Sequence, residues 1–365
     1  MKATMARSFV EGVPKSLRRE GMRIFAGAIA AALAAASVAL LWPDAAAAQS
    51  APPALTKVVF SLDFIPLGRH APWYAATAEG FFRAEGLDVD IIPSQGGAQV
   101  IQNVASGTAN LGFMGVPEVA IARSTGAKLK MVAVNYQKQP IAVFSLQSGA
   151  NVTTPKQLEG LELASGSGSF TPKILQGFMA ERGLNPATLH VTDIAPPARP
   201  GALITKKVPS IETFIMGKPG LEQAAEGVHE KLQTFVPANS GLQLYSNGIG
   251  VTEQYLSQNP QVVRGFVRAA MKGWKFALDN PVKAAQDQLQ FVQSLKPDVI
   301  VAELNIVRDL VVTPDTQQHG LGWFDPAQIK ANVDFVTKYI GISGTPPEPA
   351  DMYATGFLPD PPIKP

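Results

Sequence analysis

The sequence predicts an α/β protein made of two lobes, each a doubly wound sheet covered by helices, joined by a two-segment hinge. Three observations lead to this prediction. The chain has 365 residues, which is long enough for two domains. Apolar runs with strand character alternate with segments of helical periodicity, which is typical of sheets with helices on both faces. Two extended segments, at 140–146 and 242–251, fit the two crossings of a hinge.

The first unit begins with a strand, a short polar loop and a helix. Pro72 suits the first turn of that helix, where its missing N–H is no loss, and Gly80 and Gly86 mark the helix end and the next turn. From Leu87 to Ile91 apolar residues alternate with acids, the period of a strand with one buried face. We expect strands at 58–62, 87–92, 110–114 and 129–134 and helices at 72–82, 98–106 and 118–124.

The second unit begins with the apolar run at 140–146, and after the second crossing the pattern becomes mainly helical. We expect a strand at 161–164, a Gly/Ser loop at 165–170 and helices at 172–182, 253–276, 282–295 and 326–339. These elements predict lobe one at 57–146 plus 247–343 and lobe two at 147–246. The stretch 344–365 is rich in Pro and Gly, and we expect a poorly ordered tail there.

The first 48 residues predict a signal peptide. A basic stretch precedes an apolar run from Ile24 to Leu41, and Ala46-Ala47-Ala48 matches the small-x-small pattern that signal peptidase cuts. A membrane anchor is the alternative, because the run has about the minimum length of a transmembrane helix, but Pro43 and the cleavage pattern favour removal. Met22 as the start and twin-arginine export both stay open.

Composition excludes several classes of function. Residues 1–48 contain six basic and three acidic residues, so their removal changes the formal net charge from +2 to −1 and takes away the main electrostatic argument for nucleic-acid binding. The chain has no cysteine, so it offers no disulfide, no thiolate nucleophile and no cysteine for lipid attachment. These features predict a free periplasmic protein, expected to be a monomer without a nucleic-acid partner.

Four segments carry a family resemblance, and they are Leu62–Val89 with its E-G-F-F and E-G-L-D-V patterns, Thr154–Gly160, Asn259–Ala269 and the Gly322-Trp323-Phe324-Asp325-Pro326 turn. Together they resemble substrate-binding proteins of ABC importers, in the branch of nitrate, sulfonate, taurine and thiamine-pyrimidine (hydroxymethylpyrimidine) binders. The resemblance implies the type II periplasmic-binding-protein fold. It also implies capture of a small (hetero)aromatic ligand, such as a thiamine-precursor pyrimidine, by lobe closure. Permease subunits with their ATPase would be the partners, and no catalytic residue, cofactor or metal is expected.

The loop after the first strand is the first candidate site, since ligands bind at the carboxyl ends of parallel strands. This loop and the next helix carry aromatic and polar side chains that suit a flat ring. The two helix aromatics could instead be the buried face of the helix, and the histidine could be structural, but the resemblance favours ligand contacts. The candidates are Asp63, Phe64, His70, Trp73 and Tyr74. Arg69 is expected to face solvent or to be paired.

Other strand-end loops of lobe one complete this side of the predicted cleft. The resemblance places the segment 112–115 at the cleft floor, and residues just before the first crossing could reach the same space. Each is individually more typical of scaffold, but as a group they mark the pocket. The candidates are Gly96, Gly97, Met114, Gly115, Glu118 and Gln139.

The Gly/Ser loop is the candidate from lobe two, because backbone N–H groups at a helix N-terminus attract an acceptor group. An ordinary turn with serine caps is the alternative. The loop matches neither the P-loop nor the G-x-G-x-x-G pattern, which argues against nucleotide hydrolysis. The candidates are Ser165, Ser167, Ser169 and Phe170. Where relatives often carry K-V-D-A, this chain has Pro209 after Val208, and Glu212 and Phe214 are the candidate replacements for ligand contacts.

Three alternatives stay open for the function. A sulfonate, nitrate or aromatic carboxylate could be the ligand on the same fold. The fold is also used by the fungal enzyme that makes the thiamine pyrimidine, but that enzyme relies on a cysteine-rich iron motif, which a chain without cysteine cannot supply. A sensing rather than a transport role would look the same in sequence.

Overall fold

The computed structural model describes residues 54–365, so the predicted signal peptide lies outside the described residues. Within this range ten strands form two five-stranded sheets, and no helix is long and apolar enough to cross a membrane. The strands are β1 Thr56–Ser61, β2 Leu87–Ile92, β3 Leu111–Gly115, β4 Leu129–Val134, β5 Ile141–Leu146, β6 Glu162–Ser165, β7 His190–Asp193, β8 Ser210–Phe214, β9 Leu232–Phe235 and β10 Asn247–Thr252.

The first sheet has the strand order β2-β1-β3-β10-β4. Strand β1 pairs in parallel with β2 and β3, so the carboxyl ends of these three strands lie at one edge. Strand β10 runs antiparallel to β3 and β4, and its first residue, Asn247, lies opposite Gly115, the last residue of β3. The return strand therefore begins at the same edge where the strand-end loops meet.

The second sheet has the order β7-β6-β8-β5-β9, with β6 parallel to β7 and β8 and with β5 antiparallel to β8 and β9. The chain therefore first crosses between Val134 and Ile141. This differs from the sequence-based boundary at residue 146, which assigned β5 to lobe one. All six residues of β5 are buried, so the apolar run revealed a central strand without revealing which sheet holds it.

The helices cover the two sheets, and many begin with proline in the first turn. The expected helix at 72–82 is two helices, because Gly80 adopts a left-handed backbone conformation with φ of 72° between them. The α-helices are Ala71–Ala78, Phe81–Ala84, Gly97–Ala105, Val116–Ser124, Thr171–Glu181, Arg199–Ile204, Lys218–Glu226, Glu253–Gln258, Pro260–Asp279, Pro281–Leu289, Pro297–Val311, Pro314–His319 and Pro326–Phe335.

The core of lobe one is centred on Trp73, which is fully buried. Its ring centroid lies 4.6 Å from that of Phe60, 5.1 Å from that of Phe113 and 5.4 Å from that of Trp274. The helix that carries Trp274 packs on the helix that carries Trp73, and Gly273 permits this approach because a Cβ there would lie 2.5 Å from a backbone oxygen. Removing such an aromatic side chain typically costs about 3–5 kcal/mol.

The helix Pro326–Phe335 and the π turn Val336–Ile340 join the two cores. Val333 and Val336 pack in the core of lobe one, whereas Phe335 packs among apolar side chains of lobe two. Gly177 provides the space in lobe two, since a Cβ there would lie 3.0 Å from the Phe335 ring. This segment, which we call the strap, is a third link between the lobes beside the two crossings.

The C-terminal segment packs against lobe one, in contrast to the poorly ordered tail that its Pro and Gly content predicts. Met352 is fully buried, and Tyr353 forms a β-bridge with Met131 of strand β4. Further along, the carbonyl of Ile363 accepts a hydrogen bond of 2.8 Å from the Leu321 N–H. The apolar side chains scattered between the prolines anchor this segment to the sheet.

Candidate ligand-binding cleft

A small cavity of about 50 Å³ lies between the two lobes, at the carboxyl ends of the parallel strands. The lobes touch at its rim, where the Ala98 N–H donates a hydrogen bond of 3.0 Å to the Gly168 carbonyl. The two lobes are therefore in contact at this rim, and both contribute residues to one site. The lining residues are Asp63, Phe64, Arg69, Gly96, Gly97, Gly115, Glu118, Ser169, Phe170, Thr171, Arg199, Glu212, Thr213, Phe214 and Asn247.

Asp63 organises the lobe-one floor of the cavity. Its carboxylate accepts hydrogen bonds from Arg69 Nη1 at 2.9 and 3.1 Å and from Asn247 Nδ2 at 2.9 Å, and it lies 2.9 Å from His70 Nε2. Burial opposes ionisation of Asp63, but the Arg69 charge and the His70 hydrogen bond together hold its pKa below the ordinary value. The buried charge is therefore matched within lobe one before any ligand arrives.

His70 lies beneath this floor and fixes the position of Asp63 through a hydrogen bond. Its Nδ1 accepts a hydrogen bond of 3.0 Å from the Leu67 N–H, so Nε2 carries the proton that it donates to Asp63. Burial, with a further contribution from the Arg69 charge, lowers the pKa of His70 to about 4, which keeps the ring neutral. His70 is fully buried and is not part of the cavity lining.

Glu118 brings a carboxyl group of different character to the cavity. The side chain folds back over Gly115, where a Cβ would collide with Oε2. Oε2 is buried and has no hydrogen-bond partner in this structure. Burial, reinforced by the Asp63 charge, raises the pKa of Glu118 to about 7. Near neutral pH this group can either accept a hydrogen bond as a carboxylate or donate one as an acid.

Lobe two contributes a second buried ion pair. Arg199 Nη1 donates a hydrogen bond of 2.7 Å to Glu212 Oε1, and the Ser165 hydroxyl donates one of 2.8 Å to the same oxygen. The Arg199 and Glu212 side chains are only 3% and 4% exposed. Each guanidinium group of the cleft is thus paired with a carboxylate of its own lobe. Within residues 54–365 no group of His, Asp or Glu side chains is arranged to hold a metal ion.

Three half-buried phenyl rings line the cavity, Phe64 from lobe one and Phe170 and Phe214 from lobe two. The guanidinium carbon of Arg69 lies 4.9 Å from the Phe214 ring centroid, and that of Arg199 lies 5.9 Å from the Phe64 centroid. Aromatic faces next to planar guanidinium groups make a site suited to a flat ring.

Glycines allow the lobes to approach at the rim. Gly96 has a φ of 148°, and a Cβ there would lie 2.6 Å from the Gly168 oxygen. A Cβ on Gly97 would lie 3.0 Å from the Phe170 ring. Side chains at these two positions would hold the lobes apart, so closure depends on the Gly-Gly pair.

Ten of the residues predicted from the sequence line this cavity: Asp63, Phe64, Gly96, Gly97, Gly115, Glu118, Ser169, Phe170, Glu212 and Phe214. They come from strand-end loops of both lobes. Their common position follows from the parallel register of each sheet, which collects those loops at one edge.

Other predicted residues lie away from the cavity. Trp73, Tyr74 and Met114 are in the core of lobe one, so the buried-face alternative describes the two helix aromatics. Ser165 lies behind Glu212, which it hydrogen-bonds. The sequence shows that these residues are apolar or polar but not which way their element faces.

Two further candidates also lie outside the lining, in addition to His70. The backbone N–H of the exposed Ser167 donates to Asp193 Oδ1 at 3.1 Å, within the turn of lobe two. Gln139 is 3% exposed and lies in the first crossing segment. Both residues lie near the cleft without lining the cavity.

Sequence reasoning missed several lining residues, and Arg69 was expected only to face solvent or to be paired. Arg199 follows a proline pair in an otherwise apolar segment, and a lone cation in such a setting was the available signal. Asn247 had no such signal, because its place depends on the antiparallel return of β10. The other missed residues are Thr171 and Thr213.

Comparisons with known proteins agree with this architecture. The riboflavin-binding protein RibY of Chloroflexus aurantiacus is 29% identical over 87% of this chain and 90% of its own length. The formylaminopyrimidine-binding protein of Halalkalibacterium halodurans is 26% identical over 72% of this chain and 80% of its own. A Saccharomyces cerevisiae protein named 4-amino-5-hydroxymethyl-2-methylpyrimidine phosphate synthase THI11 is 23% identical over 67% of this chain and 73% of its own.

Among solved structures, the alkanesulfonate-binding protein SsuA from Xanthomonas axonopodis pv. citri bound to MOPS matches with a TM-score of 0.63 and 16% identity. The match covers 84% of this chain and 100% of that chain, and it confirms the predicted two-lobe, type II periplasmic-binding-protein fold. A family model described as NMT1/THI5 like matches residues 68–284, which is more than half of the sequence. The chain therefore belongs to the NMT1/THI5-like family.

Proposed function

We propose that this protein is the solute-binding component of an ABC importer and that it captures a small, flat nitrogen heterocycle by lobe closure. A thiamine-precursor pyrimidine is one member of that ligand class. The observation that carries the proposal is the cavity between the lobes, to which each lobe contributes at least one phenyl ring and buried polar groups. A ligand that contacts both lobes stabilises the closed form by its differential affinity for that form.

The polar groups favour a heterocycle with N–H and ring nitrogen atoms. Glu118 Oε2 is buried without a partner, and a pKa of about 7 lets the carboxyl group accept from an amino group or donate to a ring nitrogen. The phenyl rings of Phe64, Phe170 and Phe214 supply apolar contact for the faces of such a ring. The names of the riboflavin-binding and formylaminopyrimidine-binding relatives support the same ligand class.

An anionic ligand fits less well. Sulfonate, nitrate or carboxylate groups are usually bound by guanidinium or ammonium groups with free donors and net positive charge. Here Arg69 is bound to Asp63 and Arg199 to Glu212, and Glu118 adds a further acid, so these groups carry no net positive charge, although Arg69 Nε and Arg199 Nη2 have no hydrogen-bond partner. An anion would have to compete with these intralobe pairs. The structure therefore favours an uncharged ring over the sulfonate, nitrate or aromatic carboxylate alternative.

The proposal includes a binding role without catalysis and a periplasmic location. Two of the relatives are named as binding proteins, and the SsuA structure was solved as a complex with a bound ligand. The yeast relative is named a synthase. The cysteine-rich motif that the family resemblance associates with that chemistry is missing from this chain, which has no cysteine. The signal-peptide pattern at residues 1–48 supports export, and an ABC permease with its ATPase is the proposed partner.

A thermal-shift titration tests the proposal. The protein purified from cells that express the full chain is titrated with hydroxymethylpyrimidine, formylaminopyrimidine, riboflavin, taurine, nitrate and benzoate. A ligand at 100 times its Kd adds about 2.7 kcal/mol to the free energy of unfolding, which is enough for a clear rise in Tm. We expect a saturable shift with at least one heterocycle and none with taurine, nitrate or benzoate. Shifts with these last three compounds alone would overturn the ligand class.

A further inference from the structure

The charged side chains that line the cleft do not balance. Three of them are acids, Asp63, Glu118 and Glu212, and two are bases, Arg69 and Arg199. Arg69 is paired with Asp63 at 2.9 Å and Arg199 with Glu212 at 2.7 Å. Glu118 is therefore the acid that has no cation among the lining residues. As a carboxylate it would leave the cleft with one uncompensated negative charge, which is costly where water is excluded.

The immediate surroundings of Glu118 offer little to a carboxylate. Oε2 is buried without a hydrogen-bond partner, and the carboxyl group fills the space in which a side chain at Gly115 would stand. Gly97 is packed against both Glu118 and Phe170, because a Cβ there would lie 3.3 Å from Glu118 Cγ and 3.0 Å from the phenyl ring. Two glycines and a phenyl ring supply no side-chain donor, so this environment favours the protonated acid.

The charges around Glu118 act in the same direction. Burial raises the pKa of Glu118 to about 7 against the effect of its own backbone N–H, and the Asp63 charge adds to the rise. The helix Gly97–Ala105, which packs on the helix of Glu118, has no ionisable side chain. The charged residues of the other neighbouring elements are exposed or paired and do not line the cavity, and they are Arg123, Lys130, Lys173, Lys330, Asp334 and Lys338.

We infer that Glu118 binds the ligand as a neutral acid, which donates its proton in a hydrogen bond to a ring nitrogen or carbonyl oxygen, and that ligand capture is therefore coupled to proton uptake. With Glu118 protonated, the charges that line the cleft balance, which suits an uncharged heterocycle. Arg69 Nε and Arg199 Nη2, which have no partner in the protein, are donors as well. The inference rests on the proposed function and adds to it a dependence on pH.

The direction of the pH dependence follows from this hydrogen bond. Below pH 7 the free protein already holds the proton on Glu118, so ligand binding needs none from solution. Above pH 7 Glu118 is increasingly a carboxylate in the free protein, and it must take up a proton before it can donate to the ligand. For an acid whose pKa is about 7 in the free protein, the affinity falls ~10-fold from pH 6 to pH 8, with uptake of about 0.8 proton per ligand at pH 7.5.

The test is calorimetric titration of the purified full-length product with each of hydroxymethylpyrimidine, formylaminopyrimidine and riboflavin that raises its Tm. Affinities are measured at pH 6 and pH 8, and proton uptake is obtained from the binding enthalpies in phosphate and in Tris at pH 7.5. Glu118→Gln is the decisive variant, because its amide N–H₂ donates at every pH. The difference between the wild type and this variant also removes any ionisation of the ligand itself.

We expect the affinity of the wild type to fall ~10-fold between pH 6 and pH 8, and that of Glu118→Gln to change less than about twofold, with proton uptake near zero. Glu226→Gln is the matched control and should behave as the wild type, because Glu226 is exposed and does not line the cavity. The proton uptake of the wild type tests the inference by itself if Glu118→Gln does not fold.

Different outcomes separate this inference from the proposed function. Binding without proton uptake, binding with proton release, or the same pH dependence in the wild type and Glu118→Gln would overturn the role of Glu118 as a donor and leave the proposed function standing. If none of the three heterocycles binds the wild type, the proposed function fails and the inference fails with it.

Discussion

Glu118 and His70 are both buried near Asp63, and burial moves their pKa values in opposite directions. Burial raises the pKa of Glu118 to about 7 and lowers that of His70 to about 4, because in each case it disfavours the charged form. Glu118 is therefore a neutral acid over much of the range in which His70 is a neutral base. Glu118 faces the cavity and can form a hydrogen bond with a ligand, whereas His70 supports the floor of the cavity through its hydrogen bonds to Leu67 and Asp63.

The pH dependence of stability provides a test for Glu118. Its folded-state pKa of about 7 lies above the ordinary value of 4.5, so the folded state binds more protons between these values and the contribution to stability is lost as pH rises towards 7 and beyond. Glu118→Gln keeps the shape of the protonated acid. We expect it to raise the Tm of the ligand-free protein at pH 8 and to leave the Tm nearly unchanged at pH 5.

Thermal scans at both pH values measure this difference in Tm. Burial also raises the pKa of Glu303 to about 7, and comparing the variant with the wild type at each pH cancels the contribution of Glu303 to the pH dependence. Glu226→Gln is the control, since Glu226 is exposed. An equal change of Tm at pH 5 and pH 8 for Glu118→Gln would contradict a buried, mostly protonated carboxyl group.

His70 gives a second prediction at this scale. His70→Ala leaves the Leu67 N–H without its partner and removes one donor to Asp63, and each unsatisfied buried group costs about 1–3 kcal/mol. We expect a loss of unfolding free energy of that order or larger in urea denaturation at pH 7. The folded-state pKa of His70 is about 4, below the ordinary value of 6.5, so the wild type loses stability as the pH falls from 6.5 to 4. The difference in unfolding free energy between the wild type and His70→Ala should therefore become smaller over this pH range.

The matched control for this variant is His190→Ala, because His190 is exposed on strand β7. It should leave the unfolding free energy within about 0.5 kcal/mol of the wild-type value. Equal losses for the two substitutions would show that the buried hydrogen bonds of His70 contribute nothing specific to the floor of the cleft.

At the scale of elements, the start of the helix Gly97–Ala105 contacts lobe two at the rim of the cavity. The Ala98 N–H meets the Gly168 carbonyl of lobe two, and Gly96 lies directly beneath the same carbonyl. The orphan N–H groups at this helix end are thus partly satisfied by the other lobe. The contact is one hydrogen bond at the rim, which a ligand can complement rather than replace.

Gly96→Ala tests this contact. The added Cβ would lie 2.6 Å from the Gly168 oxygen, so we expect incomplete closure and a loss of ligand affinity of ~10-fold or more, equivalent to about 1.4 kcal/mol. Gly107→Ala is the control, because Gly107 also has a positive φ, of 81°, but no atom within 4 Å of its Cβ position. Calorimetry gives the affinities, and small-angle scattering with ligand gives the radius of gyration. Unchanged affinity in Gly96→Ala would argue against a closure role.

Hydrophobic periodicity predicted individual strands and helices better than it predicted which elements pack against each other. Strands β1 to β4 and the helix at 326–339 were placed within a few residues, because their apolar spacing is set by one buried face, whereas β10 was expected only as part of a hinge crossing. The helix Pro297–Val311 was missed, although Ile300, Leu304 and Val307 repeat at helical spacing and are buried. That omission hid Glu303, which binds the backbone of Arg69.

At the scale of the whole molecule, the site is assembled from segments that are far apart in sequence. Asp63 and Asn247 are hydrogen-bonded across 184 positions, and Ser165 and Glu212 across 47. A single sequence indicates that strand-end loops bind ligands, but it does not indicate which return strand lies beside them. Residues at and just after the carboxyl ends of strands were therefore predicted, whereas Asn247 and Arg199 were not.

The packed C-terminal segment gives a prediction at the same scale. Deleting residues 344–365 removes buried Met352 and the strand contact of Tyr353, and each fully buried apolar side chain contributes about 1.5–3 kcal/mol. We expect a clear drop in Tm, whereas deletion of residues 364–365 alone should have little effect. Thermal scans of the two truncated proteins measure this, and equal Tm values would show that the segment adds nothing to lobe one.

The strap at residues 326–340 limits how the protein can open. A hinge of two flexible crossings permits wide rotation, but Phe335 anchors the strap in lobe two while Val333 anchors it in lobe one. Asn332 also bonds the backbone of Tyr245 in the second crossing, at 3.0 and 3.2 Å. Wide opening would pull one of these apolar anchors into water. We therefore expect the ligand to enter and leave through a narrow gap, after a small twist of the lobes and not after a large hinge opening.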